Sequence, residues 1–243
     1  MDNAGLYRPS RPMRVHADLL SDAEWIELAP SAARLWCGRL DWTCREVPVR
    51  LRVLCDQPLD LPAPEFSEPP ASAIARVIKH VANQGALVLL ENPAQALGAE
   101  RIAFAEGVRL FGIATDGDVA AWDAMLSIGQ PVYGVRGRLT LELDRPSALS
   151  AISALAYGLF TCDEGLSLDG LHEDRAGIGY VAPVATTASV IIRDGFEAGI
   201  LTGAAGATVH RPDAGNETVI RLVISDGAGH TVWTQPRFVV RRG

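Results

Sequence analysis

The sequence predicts an α/β fold, a parallel sheet or irregular barrel wrapped by helices with an antiparallel β region behind it. Three observations carry that prediction. Ala86 to Leu90 is apolar on both faces, the pattern of a parallel strand covered by helices on either side. From Val47 to Cys162, runs of strand character alternate with runs of helical spacing across short links. Beyond about Asp174 the helical spacing stops, and turn residues recur between short strands as in an antiparallel unit.

Taken in order, Met13 to Val15 forms a first short strand that ends at His16. Val47, Val49, Leu51, Val53 and Cys55 then alternate with more polar residues, the period of two that turns one strand face inward. Pro58 to Pro70 holds five prolines and several acids, which makes it an exposed connector. Ile74, Val77, Ile78 and Val81 recur at helical spacing, and Gly85 ends that helix before the strand at Ala86. A helix over Ala94 to Ala105, a strand over Val108 to Ile113 and a helix over Val119 to Ile128 follow. A strand over Pro131 to Val135, a helix over Ser147 to Tyr157 and a strand from Leu159 to Cys162 complete the series. In the last third, turns fall at Asp194-Gly195, Gly203, Asp213 to Gly215 and Asp226 to Gly229, and Val219 to Ile224 can pair with Val232 to Val240 as a hairpin.

Composition narrows the function classes. With 243 residues, 48% of them hydrophobic, the chain has ample material for a core, and a net charge of -7 argues against a sequence-blind nucleic-acid or anionic-membrane surface. The basic spots Arg50/Arg52, Arg136/Arg138 and Arg241/Arg242 are too short to reverse that. The opening MDNAGLYRPSRPM puts polar residues and prolines where a signal peptide carries its apolar run, and no segment approaches ~20 apolar residues. A cytoplasmic location is therefore expected. Cys37, Cys44, Cys55 and Cys162 lack the close paired spacing of a zinc or redox motif and are expected to be buried thiols.

Trp122, Asp123, Met125, Leu126, Gly129, Val132, Tyr133, Gly134 and Val135 resemble a segment of the polymerase-and-histidinol-phosphatase (PHP) metallohydrolases, in the branch of carbaryl-hydrolase-type proteins. Arg221 to Pro236 is similar to the C-terminal extension of that branch. The resemblance implies a PHP-like distorted (β/α) barrel over residues 1–174 with a C-terminal antiparallel β subdomain over 175–243. It also implies a metal centre of His and Asp at the strand ends, and there the chain departs from the pattern. His16-Ala17-Asp18 stands for the family's His-x-His, with Ser21-Asp22 after it. Glu91-Asn92-Pro93 puts Asn92 at a His position, and Asn is a weak ligand for transition metals. Arg136-Gly137-Arg138 and Leu139 to Leu141 form the loop where Asp and His are expected, and Arg109 stands for a Glu.

The function expected from these losses is non-catalytic: a binding, regulatory or structural subunit with no cofactor, acting with a protein partner or a second copy of the chain. A rival expectation is a zinc- or manganese-dependent hydrolase of phosphoesters or carbamate-type esters, with the residual ligands His16, Asp18, Asp22 and Glu91. A third is a small anionic ligand held by Arg136, Arg138 and Asn92, since a fixed guanidinium in place of a lost cation can bind an anion bidentately. In that pocket Arg138 is expected to face Asp18, Asp22 and Glu91; the plain alternative makes Arg136 and Arg138 solvated loop residues. Thr115 to Asp118 suits a turn and a helix cap, with Asp118 as the cap, better than a cation site. Cys162-Asp163-Glu164 has no nearby His to activate the thiol. His80, His172, His210 and His230 lack partners at metal spacing, and the five Trp residues are too dispersed for a stacking platform.

Overall fold

Arg45 and Glu46 both adopt the left-handed conformation (φ 48° and 67°), forming a two-residue turn of the kind whose twist matches paired strands. Arg45 Nε donates to the Ser67 carbonyl at 2.8 Å, which ties that turn to the connector before the first helix. The computed structural model describes residues 12–63, 65, 67–101, 107–174, 177–192, 195–210 and 219–238. β1 (Met13–Ala17) and β2 (Trp25–Glu27) lead into the hairpin of β3 (Arg34–Cys44) and β4 (Val47–Cys55), followed by α1 (Pro70–Ala82). β5 (Leu87–Leu90), α2 (Pro93–Arg101), β6 (Leu110–Gly112), α3 (Asp116–Ser127) and β7 (Tyr133–Val135) come next. One mixed sheet runs β2-β3-β4-β5-β6-β7, and within it only β5, β6 and β7 are parallel.

The remaining strands are antiparallel. β8 (Arg138–Leu143), α4 (Ala148–Ala156), β9 (Phe160–Glu164), β10 (Gly170–Asp174) and β11 (Gly177–Ala182) are followed by β12 (Thr186–Ile192) and β13 (Glu197–Gly203). β14 (Gly206–His210), β15 (Val219–Asp226), β16 (Thr231–Thr234) and β17 (Arg237–Phe238) end the described chain. A second sheet runs β1-β8-β9-β16-β15-β12-β13 with β17 beside β15, and β10-β11-β14 form a third. Residues on both sides of position 174 thus share the second sheet. The expected turn at Asp213 to Gly215 and the pair Arg241/Arg242 lie outside the described residues.

The (β/α) barrel expectation is corrected by this architecture: the described residues are mostly β, with 45% strand against 20% helix. The βα repeat exists, but only from β5 to β7. β5 pairs on its other side with β4 in the antiparallel sense, so the parallel strands are one end of an open sheet and do not close on themselves. The segment after Val135, expected as a loop, is a short link at Arg136-Gly137, and Arg138 already begins β8. Along β5, Val88 and Leu90 face a core with Ile74, Val77, Leu97, Trp122 and Met125 of α1 to α3. Leu89 faces a second core with Val15, Leu139, Leu141, Ile152 and Phe160, from the second sheet and α4. Burial on both faces therefore comes from helices on one side and mainly from another sheet on the other.

The two segments that carry the PHP resemblance meet each other. Trp122, 1% exposed, donates from Nε1 to the Val132 carbonyl at 2.8 Å, and its ring lies so close to Gly134 that a Cβ there would sit 2.8 Å from it. Arg221 donates from one terminal nitrogen to both Asp123 carboxylate oxygens (2.9 and 3.1 Å), with its guanidinium carbon 4.7 Å from the Trp122 ring and 5.4 Å from that of Trp233. Gln235 accepts from the Gly134 N–H and donates to the Gly134 carbonyl, both at 2.9 Å, which completes the edge strand β7 with a side-chain amide where a further strand would pair.

These contacts are buried, so their removal is expected to be costly. Gln235→Ala removes both hydrogen bonds to the Gly134 backbone, leaving its carbonyl with only the Cys162 thiol as donor, and should lower the unfolding free energy by about 1–3 kcal/mol. Arg221→Leu breaks a buried ion pair with Asp123 and removes the guanidinium packed on two indoles, and should cost about 3–5 kcal/mol. Urea unfolding followed by tryptophan fluorescence measures both; losses below about 0.5 kcal/mol, the range of ordinary surface changes, would show that the junction is not holding the sheets together.

Candidate functional site

β8 alternates strictly: Leu139, Leu141 and Leu143 enter the core, so Arg138, Thr140 and Glu142 lie on the other face. Antiparallel pairing sets His16 of β1 opposite Thr140, and Thr140 opposite Thr161 of β9, while Arg138 stands opposite Asp163. The segment from Ser167 to Leu171 lies over this face, and together they line a half-open cavity of about 510 Å³. Arg14 holds that cover in place. Its two terminal nitrogens donate to the carbonyls of Leu168 (2.7 Å) and Asp169 (3.0 Å), and the second also pairs with Glu142 at 3.1 Å.

A hydrogen-bond chain runs along the floor. Asp163, 5% exposed, accepts from the hydroxyls of Thr140 and Thr161, the latter at 3.0 Å, so its buried charge is satisfied by two donors. Because the Thr140 hydroxyl donates to Asp163, its oxygen is the acceptor for His16 Nδ1 at 2.9 Å. That assigns the proton of neutral His16 to Nδ1 and leaves Nε2 as the ring's lone-pair nitrogen. Burial pushes the His16 pKa below its ordinary 6.5, and the charges of Arg138 and Arg14 push the same way against the opposing pull of Asp163. Arg14, Arg138, Arg237, Glu142 and Asp163 are the charged residues that line the cavity.

The structure separates the residues expected to share a site. Arg138 is exposed, lines the cavity, and makes no hydrogen bond or ion pair with any described residue. Asp18, Asp22 and Glu91 are not its neighbours. Arg136 instead pairs with Glu164 at 2.8 Å and lies 5.0 Å over the Trp233 ring. Asn92 is buried and structural: it accepts from the Arg50 N–H (3.1 Å) and donates to the Pro48 carbonyl (3.0 Å), tying β4 to the start of α2. Asp18 is exposed and accepts from the Leu20 N–H at 3.1 Å within its own turn. Asp22 is exposed and pairs with Arg39 at 2.7 Å.

Glu91 is paired with Arg52, which also donates to the carbonyls of Leu20 and Ser21 and is 2% exposed. The partner of Glu91 is thus Arg52 of β4 and not Arg138. His16, Asp18, Asp22 and Glu91 do not fit a metal, since each has another partner and His16 lies in a different sheet from Glu91. Among the described residues no three His, Cys, Asp or Glu side chains form a metal-holding group.

Of the secondary candidates, Thr115 is the α3 cap, and Asp118, expected as the cap, completes the capping box and accepts from the Ala94 N–H at 3.2 Å. Arg109 donates to the Pro131 carbonyl at 3.4 Å. Burial pushes the Cys162 thiol up to about 12, so it is no nucleophile near neutral pH. Arg14, Thr140, Glu142, Thr161 and Asp163 escaped the sequence reading as site residues. One signal could have found three of the cavity residues: Arg138-Leu-Thr-Leu-Glu-Leu143 has period two, which puts Arg138, Thr140 and Glu142 on one strand face.

Compared with models of protein families, with curated proteins and with solved structures, the chain matches none. No helix among the described residues is long and apolar enough to cross a membrane.

Two outcomes follow from this geometry. The His16 ring should titrate below 6.5 in NMR, and Arg138→Gln should move that midpoint upward. Since the folded state binds this proton more weakly than the unfolded chain, His16's contribution to stability is complete above 6.5 and is lost as the pH falls from there toward the folded value. A midpoint at or above 6.5, unmoved in the variant, contradicts the arrangement. Separately, Arg52→Leu should cost about 3–5 kcal/mol of stability by leaving Glu91 unpaired, whereas Arg138→Leu should change it by less than about 0.5 kcal/mol; equilibrium unfolding of both variants is the check, and similar losses would refute the assignment.

Proposed function

We propose that this chain is a non-catalytic binding protein for a small anionic ligand, which it takes in the cavity between β1, β8, β9 and the segment 167–171. The observation that carries the reading is Arg138, a permanently charged group on the cavity wall that has neither hydrogen bond nor ion pair among the described residues. The other cations near the expected site have partners: Arg52 has Glu91, Arg136 has Glu164 and Arg39 has Asp22. Arg14 pairs with Glu142 and donates to two carbonyls of the cover, which ties the cover to β1. A half-open, partly apolar cavity with an unused guanidinium at its wall is suited to an anion, because the fork matches carboxylate and phosphate oxygens.

The rival hydrolase reading gains no support from the positions of its residues. Its candidates each serve another contact, and the nearest hydroxyl to His16, that of Thr140, is committed to Asp163.

Titration of the protein with benzoate, citrate and inorganic phosphate, followed by calorimetry and by the His16 ring resonances, tests the proposal. At least one anion should bind and shift His16, and Arg138→Leu should weaken it about 10- to 100-fold while leaving the unfolding midpoint unchanged. Absence of any anion response at millimolar concentration, or equal binding by the variant, would overturn it.

A further inference from the structure

We infer that Thr140 and Thr161 are positioning residues of this cavity: by holding the Asp163 carboxylate they keep it from pairing with Arg138, and so leave that guanidinium open to an anion. The inference rests on the anion-binding reading above and adds the residues that keep its cation available.

Strand register alone would quench Arg138. It stands directly opposite Asp163 in the antiparallel pair of β8 and β9, and both residues line the cavity. Directly opposite residues have Cβ atoms about 4.5–5.5 Å apart, within reach of a guanidinium and a carboxylate, and opposite charges so placed attract. Arg138 nevertheless forms neither a hydrogen bond nor an ion pair with Asp163 or with any other described residue.

The cause lies in where the donors to Asp163 sit. Thr140 and Thr161 are themselves cross-strand partners on the same sheet face, two residues from Arg138 and from Asp163, or about 7 Å along the strands. The Thr140 hydroxyl donates to Asp163 Oδ2, and the Thr161 hydroxyl donates to Oδ1 at 3.0 Å. Both carboxylate oxygens are thus drawn toward the level of the threonines and away from the level of Arg138. A carboxylate that is 5% exposed needs donors in place of lost water, and two fixed hydroxyls supply them without the guanidinium.

The next residue on β9 shows the contrast. Glu164 accepts from one hydroxyl only, that of Thr231 to Oε2 at 2.9 Å, and its Oε1 pairs with Arg136 at 2.8 Å. One hydroxyl leaves a carboxylate oxygen for an arginine; two do not. Of the pair on Asp163, Thr161 is the one to alter, because Thr140 also serves His16 whereas Thr161 makes no other side-chain hydrogen bond among the described residues.

The test titrates benzoate, citrate and inorganic phosphate by calorimetry into the intact chain, Thr161→Val, Thr161→Ser, Asp163→Asn and the double variant Thr161→Val/Asp163→Asn. Crystal structures of the ligand-free intact chain and Thr161→Val give the separation of Arg138 and Asp163. Thr161→Val should bring the two within about 4 Å and weaken each anion that binds by about three- to tenfold. Thr161→Ser keeps the hydroxyl and should bind as the intact chain does. In the Asp163→Asn background Thr161→Val should make no difference, since no carboxylate is left to release.

Equal weakening in both backgrounds would show that Thr161 touches the ligand or shapes the cavity, and overturns the inference. So does a Thr161→Val protein that binds like the intact chain. Should Thr161→Val fail to fold, Thr161→Ala takes its place. Should Asp163→Asn fail, the serine variant and the ligand-free separation decide: weakening by serine equal to that by valine, or Arg138 and Asp163 still apart, counts against it. If the intact chain binds none of the three anions, the anion-binding reading falls, and closure of the pair in ligand-free Thr161→Val still supports or overturns the positioning role by itself.

Discussion

A buried arginine joins the two large sheets, and the rest of the architecture depends on the way its charge is accommodated. Arg221 lies 98 positions from Asp123 in sequence, and their pairing brings β15 of one sheet against α3, which packs on the other. A guanidinium taken out of water needs compensation. Here a carboxylate and the faces of two indoles supply it, while Arg221 Nε and Trp233 Nε1 are left without hydrogen bonds. The pair thus specifies one relative placement of the sheets more than it adds net stability. Gln235 extends the same junction by completing Gly134 on the β7 edge, and β16, which ends at the residue before it, pairs with β9, the strand that carries Asp163.

The cavity is a consequence of that placement. With β9 held between β16 and β8, and β1 added outside β8, one sheet face collects His16, Arg138, Thr140, Thr161 and Asp163 from three strands. Two arginines show what the fold does with positive charge. Arg52 is enclosed and its donors are consumed by Glu91 and two carbonyls, so it serves as a fixed internal tie between β4, β5 and the segment before β2. Arg138 lines a half-open cavity and has no hydrogen bond or ion pair with any described residue, a difference that comes from neighbours and not from residue type.

The segments that resemble PHP metallohydrolases are Trp122–Val135 and Arg221–Pro236, and both are used in packing. Trp122 rests on Gly134 because no side chain intervenes, Asp123 receives Arg221, and Gln235 reaches the Gly134 backbone. A sequence pattern of this density marks residues with exacting surroundings. Those surroundings here are a junction of sheets, and the barrel expected to accompany the pattern does not form.

Much of the local structure was legible from residue spacing. The helical repeat of Ile74, Val77 and Val81 lies on α1, the doubly apolar run at Leu87 to Leu90 is a strand buried on both faces, and the turn at Asp226 to Gly229 joins the β15–β16 hairpin. Spacing reports how one segment divides its side chains between core and solvent, a property of its own dihedral angles. It does not report which strand lies alongside. Whether β5 meets an antiparallel β4 or closes a parallel barrel is decided by contacts between distant segments, as is the meeting of His16 with Thr140 across 124 positions and of Gly134 with Gln235 across 101. For the same reason Arg138 could be singled out from sequence while its surroundings could not. Its neighbours are chosen by strand register and sheet packing, whose free energies are summed over the whole chain.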